Sequence, residues 1–216
     1  MIKSILVTAG PTRERIDPVR FISNYSTGSF GYAIAKEAAR RGHRTVLVSG
    51  PTSLDAPRGV KRVMVESALD MKRAVEYEFK YCGIVIMAAA VSDWRVKAAA
   101  GKKIKRGARV KTLELVENPD ILAGLGKRKG KRIVIGFALE TGSAGENALK
   151  KLRKKNLDMV VANTVTGKRS AFGSGRTSVV IFDRFNGETA YNNKTKGELA
   201  KIILDKASGL NIGYGI

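Results

Sequence analysis

Short apolar runs alternate with amphipathic stretches along the first half of the chain. Ser4–Ala9 (SILVTA) is apolar and partly β-branched, stops at Gly10-Pro11, and reads as a buried strand. Pro11–Thr27 is a long polar connection carrying Arg13, Glu14, Arg15, Asp17 and Arg20, and loops of that length in compact domains are often functional. Gly28–Gly42 has helical spacing, with Phe30, Ala33, Ile34 and Ala38 on one face, Lys36, Glu37, Arg40 and Arg41 outside, and Gly42 as the stop. Thr45–Ser49 is a second strand ended by Gly50-Pro51. Lys61–Val65 is a third, a helix follows from about Leu69 to Phe79, and Ile84–Ala90 is the most hydrophobic strand.

Strands that are apolar throughout and alternate with helices predict a mostly parallel sheet covered on both faces. Ligands in such folds sit beyond the carboxyl ends of the strands, so the polar loops after Ala9, Ser49 and Ala90 point to one rim. The second half changes texture. Lys97–Lys111 (KAAAGKKIKRGARVK) is basic and Gly-rich, which suits a mobile flap over 97–111. Asn118-Pro119-Asp120 starts a short helix, with Asp120 as cap and Ile121, Leu122 and Leu125 facing inward. Arg132–Phe137 is a buried strand, Glu146–Lys155 a basic helix and Met159–Ala162 a final core strand. Thr177–Phe182 and Glu188–Tyr191 flank the turn signal Asn186-Gly187, and Thr195–Ala207 is a C-terminal helix before a frayed tail over 209–216. The expected fold is one domain over 1–216: an α/β three-layer sandwich around a mostly parallel, Rossmann-like sheet, plus a flap and a small β-hairpin extension.

Composition narrows the function. The chain has 216 residues, 40 Lys plus Arg against 19 Asp plus Glu, and a formal net charge of +21. A charge this basic suggests nucleic acid, an anionic membrane surface or polyanionic small molecules. Hydrophobic residues make up 44%, enough for a core and too many for a disordered chain. The longest uncharged apolar run, Gly83–Ser92, is too short to span a bilayer, and the N-terminus reads as a first strand rather than a signal peptide. A single cysteine, Cys82, excludes an internal disulfide and a cysteine-based metal site. A single histidine, His43, excludes two-histidine metal motifs and opposes a Ser/His/Asp hydrolase. A cytoplasmic α/β protein is the default that remains.

Several segments can carry chemistry. Asn24-Tyr25-Ser26-Thr27-Gly28-Ser29-Phe30-Gly31 puts hydroxyls and glycines just before a helix. It reads either as an anion site at the helix start or as ordinary capping by Ser26 or Thr27 with glycines for tight packing. The run Ala88-Ala89-Ala90-Val91-Ser92-Asp93-Trp94 leaves room for a ligand at a strand end. Asp93 there accepts from an exocyclic amine, helps hold a metal, or only makes a turn, and Trp94 reads as a packing residue. Lys102, Lys103, Lys105 and Arg106 lie on the flap, while Lys151 and Lys155, four apart, share a helix face. Such clusters bring cations to a triphosphate or form a solvated face. Cys82 reads as a small core or boundary residue. A dinucleotide-binding fold is opposed by the missing G-x-G-x-x-G and by Ser49-Gly50-Pro51 where a ribose-holding acid would stand.

In their order and spacing, VTAGPTRERIDPVRFISNYSTG, LVSGP, IVIMAAAVSDWR, KIKR, LELVENPDILA, VIGFALET and KKNLDMVVAN resemble the phosphopantothenoylcysteine synthetase (phosphopantothenate–cysteine ligase) family, from Leu6 to about Leu204. In many bacteria and archaea this is the C-terminal half of a bifunctional coenzyme A biosynthesis flavoprotein. The resemblance implies a two-step ligase, in which the carboxylate of 4′-phosphopantothenate attacks the α-phosphate of CTP and the amine of cysteine then displaces CMP. Mg²⁺ accompanies the nucleotide, no flavin is expected, and the family is dimeric. Asn24 matches the asparagine associated with the acyl-cytidylate, and Arg20 a functional arginine. Met87, Ala88, Ala89 and Asp93 match the nucleotide site, with Asp93 placed to read the cytosine amine. Lys103 matches the first lysine of the flap, and Ile121, Leu122, Ala123 and Gly124 a helix start at the nucleotide. Phe137, Lys151 and Lys155 match further nucleotide contacts. Ser26, Thr27 and Gly28 fall in the phosphate loop, and no metal ligands are assigned.

The chain departs from the family where SSGKMG is replaced by Ser26-Thr27-Gly28-Ser29-Phe30-Gly31, so the loop lysine is missing at Ser29, and where Arg15 replaces a proline. No flavin-binding decarboxylase half is present, leaving a fused or separate decarboxylase as a partner. The alternatives are an NAD(P)-binding oxidoreductase and a basic nucleic-acid-binding module, the latter suggested by charge alone. From Gly101 to Lys155 there are 16 basic and 5 acidic residues, a net +11, so half the excess charge falls between the flap and the basic helix.

Overall fold

The computed structural model describes residues 4–105, 107, 112–140, 144–164 and 175–210. In chain order the elements are β1 (Ser4–Ala9), β2 (Arg13–Arg15), β3 (Phe21–Ser23), α1 (Ser29–Arg40), β4 (Arg44–Ser49), β5 (Val60–Met64), α2 (Ala68–Phe79) and β6 (Ile84–Met87). Then come β7 (Trp94–Val96), β8 (Leu115–Glu117), α3 (Ile121–Lys127), β9 (Ile133–Glu140), α4 (Ala144–Lys154), β10 (Met159–Thr164), β11 (Thr177–Asp183), β12 (Glu188–Lys194) and α5 (Lys196–Gly209). Eight strands form one sheet in the order β12-β11-β10-β9-β6-β1-β4-β5, parallel from β10 to β5. The six parallel strands alone, renumbered by sequence, run 3-2-1-4-5-6. The direction of winding reverses between β1 and β6, and such a reversal opens a crevice at the carboxyl ends.

Alternation along each strand builds two cores. Ile5, Val7, Ile84 and Ile86 face α1 and α5, packing with Ile34, Ala38, Leu199 and Ile203. Leu6, Val85 and Met87 face the other way, with Met71 and Val75 of α2, Leu125 of α3 and Leu152 of α4. The sheet is therefore the middle of three layers, as the sequence predicts. Each such aliphatic side chain, removed from water, contributes about 1.5–3 kcal/mol. Cys82 is a core residue, its thiol pushed up to about 12 by burial. Among the described residues no helix is long and apolar enough to cross a membrane.

The structure corrects several sequence expectations. The connection over 11–27 is not plain loop: β2 and β3 pair antiparallel, and the buried carboxylate of Asp17 accepts the Val19 and Arg20 amides to close the turn between them. Glu37 is buried rather than outside, because Arg40 and Arg41 both bind its carboxylate and hold it at about 2 against the opposing effect of burial. β6 ends at Met87, and Ala90 makes only an isolated bridge to Pro11. β10 is not the last core strand, since β11 pairs antiparallel with it and buries Val179, Ile181 and Phe182. The hairpin thus widens the main sheet, turning at Asn186 with φ 63°. At the C-terminus α5 runs on to Gly209 and Leu210 is buried, so those two residues are not a frayed tail; 211–216 lie outside the described residues. The segment 97–111 springs from the antiparallel pair β7–β8, and its Arg106 and residues 108–111 lie outside the described residues.

Candidate functional site

Two cavities open over the carboxyl ends of β6 and β9. The first, of about 390 Å³, is walled by Met87, Ala89, Val91–Trp94, the turn Glu117–Asp120, Ile121 and Leu122 of α3, Phe137, Lys151 and Lys155. The second, of about 580 Å³, is walled by Asn24–Phe30, Ala88–Val91, Asp93, Phe137–Leu139, Asn163 and Lys196. Ala89, Val91, Asp93 and Phe137 belong to both, so the two form one elongated cleft with a shared waist.

The waist is fixed by the first strand and the loop that leaves it. Thr8 Oγ1 accepts the Ala89 amide at 3.1 Å and Thr12 Oγ1 accepts the Ser92 amide at 3.0 Å. The Asn118 amide donates to the Ser92 carbonyl at 2.9 Å, which ties the NPD turn to the same loop. Small residues at 88–90 keep this stretch open, and Asp93 is left exposed at its end.

In the first cavity every cation is braced. Lys155 Nζ lies 2.7 Å from Asp120 Oδ2, and Lys151 Nζ donates to the Phe137 carbonyl at 2.6 Å. Asp120 also caps α3, accepting the Ala123 amide at 2.9 Å. Burial opposes ionisation of Asp120, but Lys155 and that amide outweigh it and hold the carboxyl below its ordinary value.

In the second cavity Asn24 Nδ2 donates to the Val91 carbonyl at 3.2 Å, reaching across to the waist. The loop then turns into α1 at Gly28, whose φ of +75° suits glycine. Gly31 allows α1 to press on β1, since a Cβ there would lie 2.6 Å from that of Ala9. The N-cap residue Gly28 has no side chain to cap α1; instead Thr27 Oγ1 accepts the Ser29 amide at 3.4 Å and Ser26 Oγ accepts the Gly28 amide at 3.2 Å within the loop. Phe30 and Phe137 meet edge to face at 4.9 Å under the cleft.

Of the residues singled out in the sequence, Asn24, Ser26, Thr27, Gly28, Met87, Ala88, Ala89, Asp93, Ile121, Leu122, Phe137, Lys151 and Lys155 line this cleft. Four do not. Ala123 and Gly124, in the first turn of α3, are not part of the cleft wall, and their amides donate to the Asp120 side chain and carbonyl. Arg20 binds the buried carboxylate of Asp17 and donates to the Ile104 carbonyl at 2.9 Å, while the Ile104 amide donates to Asp17 at 3.1 Å. Arg20 therefore anchors the base of the flap, and Lys103, next to Ile104, is exposed on it. Arg20 and the amides hold Asp17 well below the usual carboxylate range. Trp94, read as a packing residue, is 47% exposed and forms part of the first cavity wall. The sequence reading assigned no role to Asn163, the last residue of the KKNLDMVVAN run, or to Lys196, which no local pattern marks.

The dinucleotide alternative meets a physical obstacle. Ser49, at the end of β4, is buried, donates to the Gly50 carbonyl and lies 3.1 Å from the Tyr32 hydroxyl. The adjacent hollow is lined by Ser26, Thr27, Ser29, Thr52, Ser53 and Leu54, with no carboxylate for a ribose. No group of three metal-ligating side chains occurs among the described residues. The carboxylate at the waist, Asp93, suits a Mg²⁺ that keeps phosphate and water oxygens as its other ligands.

Residues 1–210 match the model of the DNA/pantothenate metabolism flavoprotein C-terminal domain. The chain is 46% identical, over 97% of its length, to the coenzyme A biosynthesis bifunctional protein CoaBC of Bacillus subtilis (strain 168), covering 52% of that protein. It is 43% identical, over 94% of its length, to a cysteine/cysteine sulfinic acid decarboxylase of an unknown prokaryotic organism, covering 57% of it. The chain thus spans about half the length of the curated relatives it matches. A crystal structure of the C-terminal domain of the bifunctional protein CoaBC superposes with a TM-score of 0.83 at 42% identity, covering 96% of this chain and 95% of that one.

Proposed function

Since the chain belongs to the DNA/pantothenate metabolism flavoprotein C-terminal domain family, we propose that it is a phosphopantothenate–cysteine ligase that uses CTP. The observation that carries this reading is the two-lobed cleft, in which Asn24 reaches from the second chamber to the Val91 carbonyl at a waist that also holds Asp93. A ligase of this kind must hold two large substrates end to end, and the relatives' coenzyme A biosynthesis role supplies the substrate class.

In the first step a carboxylate oxygen of 4′-phosphopantothenate attacks the α-phosphorus of CTP. The bond to the β-phosphate oxygen breaks, and pyrophosphate leaves with both bonding electrons. In the second step the unprotonated amine of cysteine attacks the acyl carbon, the bond to the cytidylate oxygen breaks, CMP leaves and the nitrogen gives up its proton. The chain need only position and stabilise charge, which alone supplies large accelerations. Asn24 turns its amide toward the reacting carbonyl, Asp93 accepts from the cytosine amine or holds the nucleotide's Mg²⁺, and Lys151 and Lys155 face the nucleotide.

The enzyme works as a cytoplasmic homodimer, and the exposure of Phe21, Trp94 and Leu115 on the two small strand pairs, with Val19 in the turn between β2 and β3, supports a partner surface there. A flavin decarboxylase, fused or separate, consumes the product; the flavoprotein description of the family and the bifunctional name of the relatives support such a partner.

The test is direct. Incubation with phosphopantothenate, cysteine, Mg²⁺ and CTP is expected to release CMP and pyrophosphate in equal amounts. Release from neither CTP nor ATP overturns the ligase reading, while release from ATP alone overturns only the nucleotide assignment.

A further inference from the structure

We propose that Lys196, held on the Ser29 hydroxyl in the second cavity and sharing that wall with Asn163, is a substrate-binding residue that grips an oxyanion of a phosphate-bearing substrate. The proposal rests on the ligase reading for the identity of the substrates and on the cavity itself for the site.

Among the described residues, the charged side chains lining the second cavity are Asp93, at the waist, and Lys196, away from it. Lys196 Nζ donates to Ser29 Oγ at 2.5 Å. Burial disfavours its charged form and pulls its pKa below the ordinary lysine value. A half-buried ammonium is stabilised by an anion that replaces the lost water.

The location sharpens the point. Lys196 is the first residue of α5, and Ser29 is the first residue of α1. Both helices therefore turn their positive ends toward the ammonium, the less favourable end for a cation. The chain places a lysine against two helix dipoles in a cavity, a local conflict that an anion bound there would relieve.

Asn163 adds an independent sign. Its Oδ1 is buried without a hydrogen-bond partner, and it lines the same cavity at the end of β10. Buried polar atoms are nearly always paired, so this acceptor awaits a donor, a hydroxyl or amide N–H of the substrate that carries the oxyanion. Lys196 brings its ammonium to the Ser29 side chain from α5, so the two helix starts meet at this wall of the cavity.

An oxyanion at this place has two sources: the terminal phosphates of CTP, or the phosphate of phosphopantothenate. Steady-state kinetics of Lys196→Met in the full chain separate them. The expected result is a KM raised about tenfold or more for one of the two substrates, that for cysteine being unchanged. Whichever of the two rises names the source. Lys196→Arg is expected to keep KM, and Ser29→Lys is expected to restore much of the loss in the Lys196→Met background. Lys201→Met, on the exposed face of the same helix, is expected to change nothing. The wild-type kcat/KM should fall at alkaline pH as Lys196 loses its proton, and that fall should be missing in Lys196→Met.

KM values within twofold of wild type together with an unchanged alkaline limb overturn the assignment and leave the ligase reading intact. If Lys196→Met does not fold, Lys196→Gln is read in the same way. If the wild type ligates nothing, the ligase reading falls. Calorimetric titrations of CTP and phosphopantothenate then decide the site, and equal affinities for wild type and Lys196→Met overturn it.

Discussion

The two lobes of the cleft handle positive charge differently. In the first, Lys155 is paired to the Asp120 carboxylate and Lys151 to a backbone carbonyl. In the second, Lys196 leans on a hydroxyl at the starts of two helices. A braced cation is positioned before the ligand arrives and keeps its charge, but part of its field is already spent on its partner. A cation half-buried among hydroxyls and helix starts has its charged form disfavoured, and its charge is easier to lose. The first lobe suits recognition by shape and fixed contacts, and the second suits capture of an anion.

The sharpest way to break this comparison is at the waist, which both lobes share. Asn24→Ala removes the amide that reaches Val91 and is expected to lower overall turnover about 100-fold, as loss of one charge-stabilising donor does in acyl transfer. Pre-steady-state measurement of acyl-cytidylate should show the intermediate made but poorly used. Wild-type rates would remove Asn24 from the chemistry and leave two lobes without a common reacting point.

Next in size is the braced cation. Lys155→Met is expected to raise KM for CTP about tenfold with little change for phosphopantothenate, on the scale of one charge-assisted contact. Equal rises for both substrates would mean that the lobes are not separate sites. Asp120→Ala should follow, costing about 1 kcal/mol in thermal or urea unfolding through loss of the α3 cap, and leaving Lys155 unpaired.

The unequal legibility of the lobes has a physical cause. The first is built from residues close in sequence to strand ends and a helix start: Asp93 after Ala88–Ala90, Asp120 before Ile121, and Lys151 and Lys155 one turn apart. Local pattern exposes such residues. Lys196 reads only as the residue after a capping threonine, and nothing near it in sequence hints at a ligand. It reaches the cleft because β11 and β12 extend the sheet antiparallel beyond β10 and α5 then crosses back to pack on α1. That return is a product of tertiary packing. Asn163 is visible as the end of the KKNLDMVVAN run, but its unpaired oxygen shows only in three dimensions. β2 and β3 escaped for another reason: three residues are too few for an alternating pattern to stand out. Arg20 was legible as important by resemblance, yet only its bonds to Asp17 and Ile104 show that it ties down the flap base.

The finest test separates the two duties of Asp120. Asn caps a helix about as well as Asp, so Asp120→Asn keeps the bond from the Ala123 amide and removes only the charge facing Lys155. The side chains are 47% and 23% exposed, and a pair so open to solvent contributes at most about 1 kcal/mol. The folded-state pKa of Asp120 lies below its unfolded value. Its contribution is therefore present above the unfolded value, about pH 4, and is lost as pH falls through the folded one. Unfolding of wild type and Asp120→Asn should differ slightly at neutral pH and converge as the solution is acidified below about pH 4. At neutral pH the variant leaves Lys155 with its whole field for the nucleotide, so KM for CTP should fall slightly while that for phosphopantothenate stays. A rise in KM for CTP would mean that the carboxylate's bracing of Lys155 matters more than the field it takes up, and the contrast drawn between the lobes would then be one of geometry rather than charge.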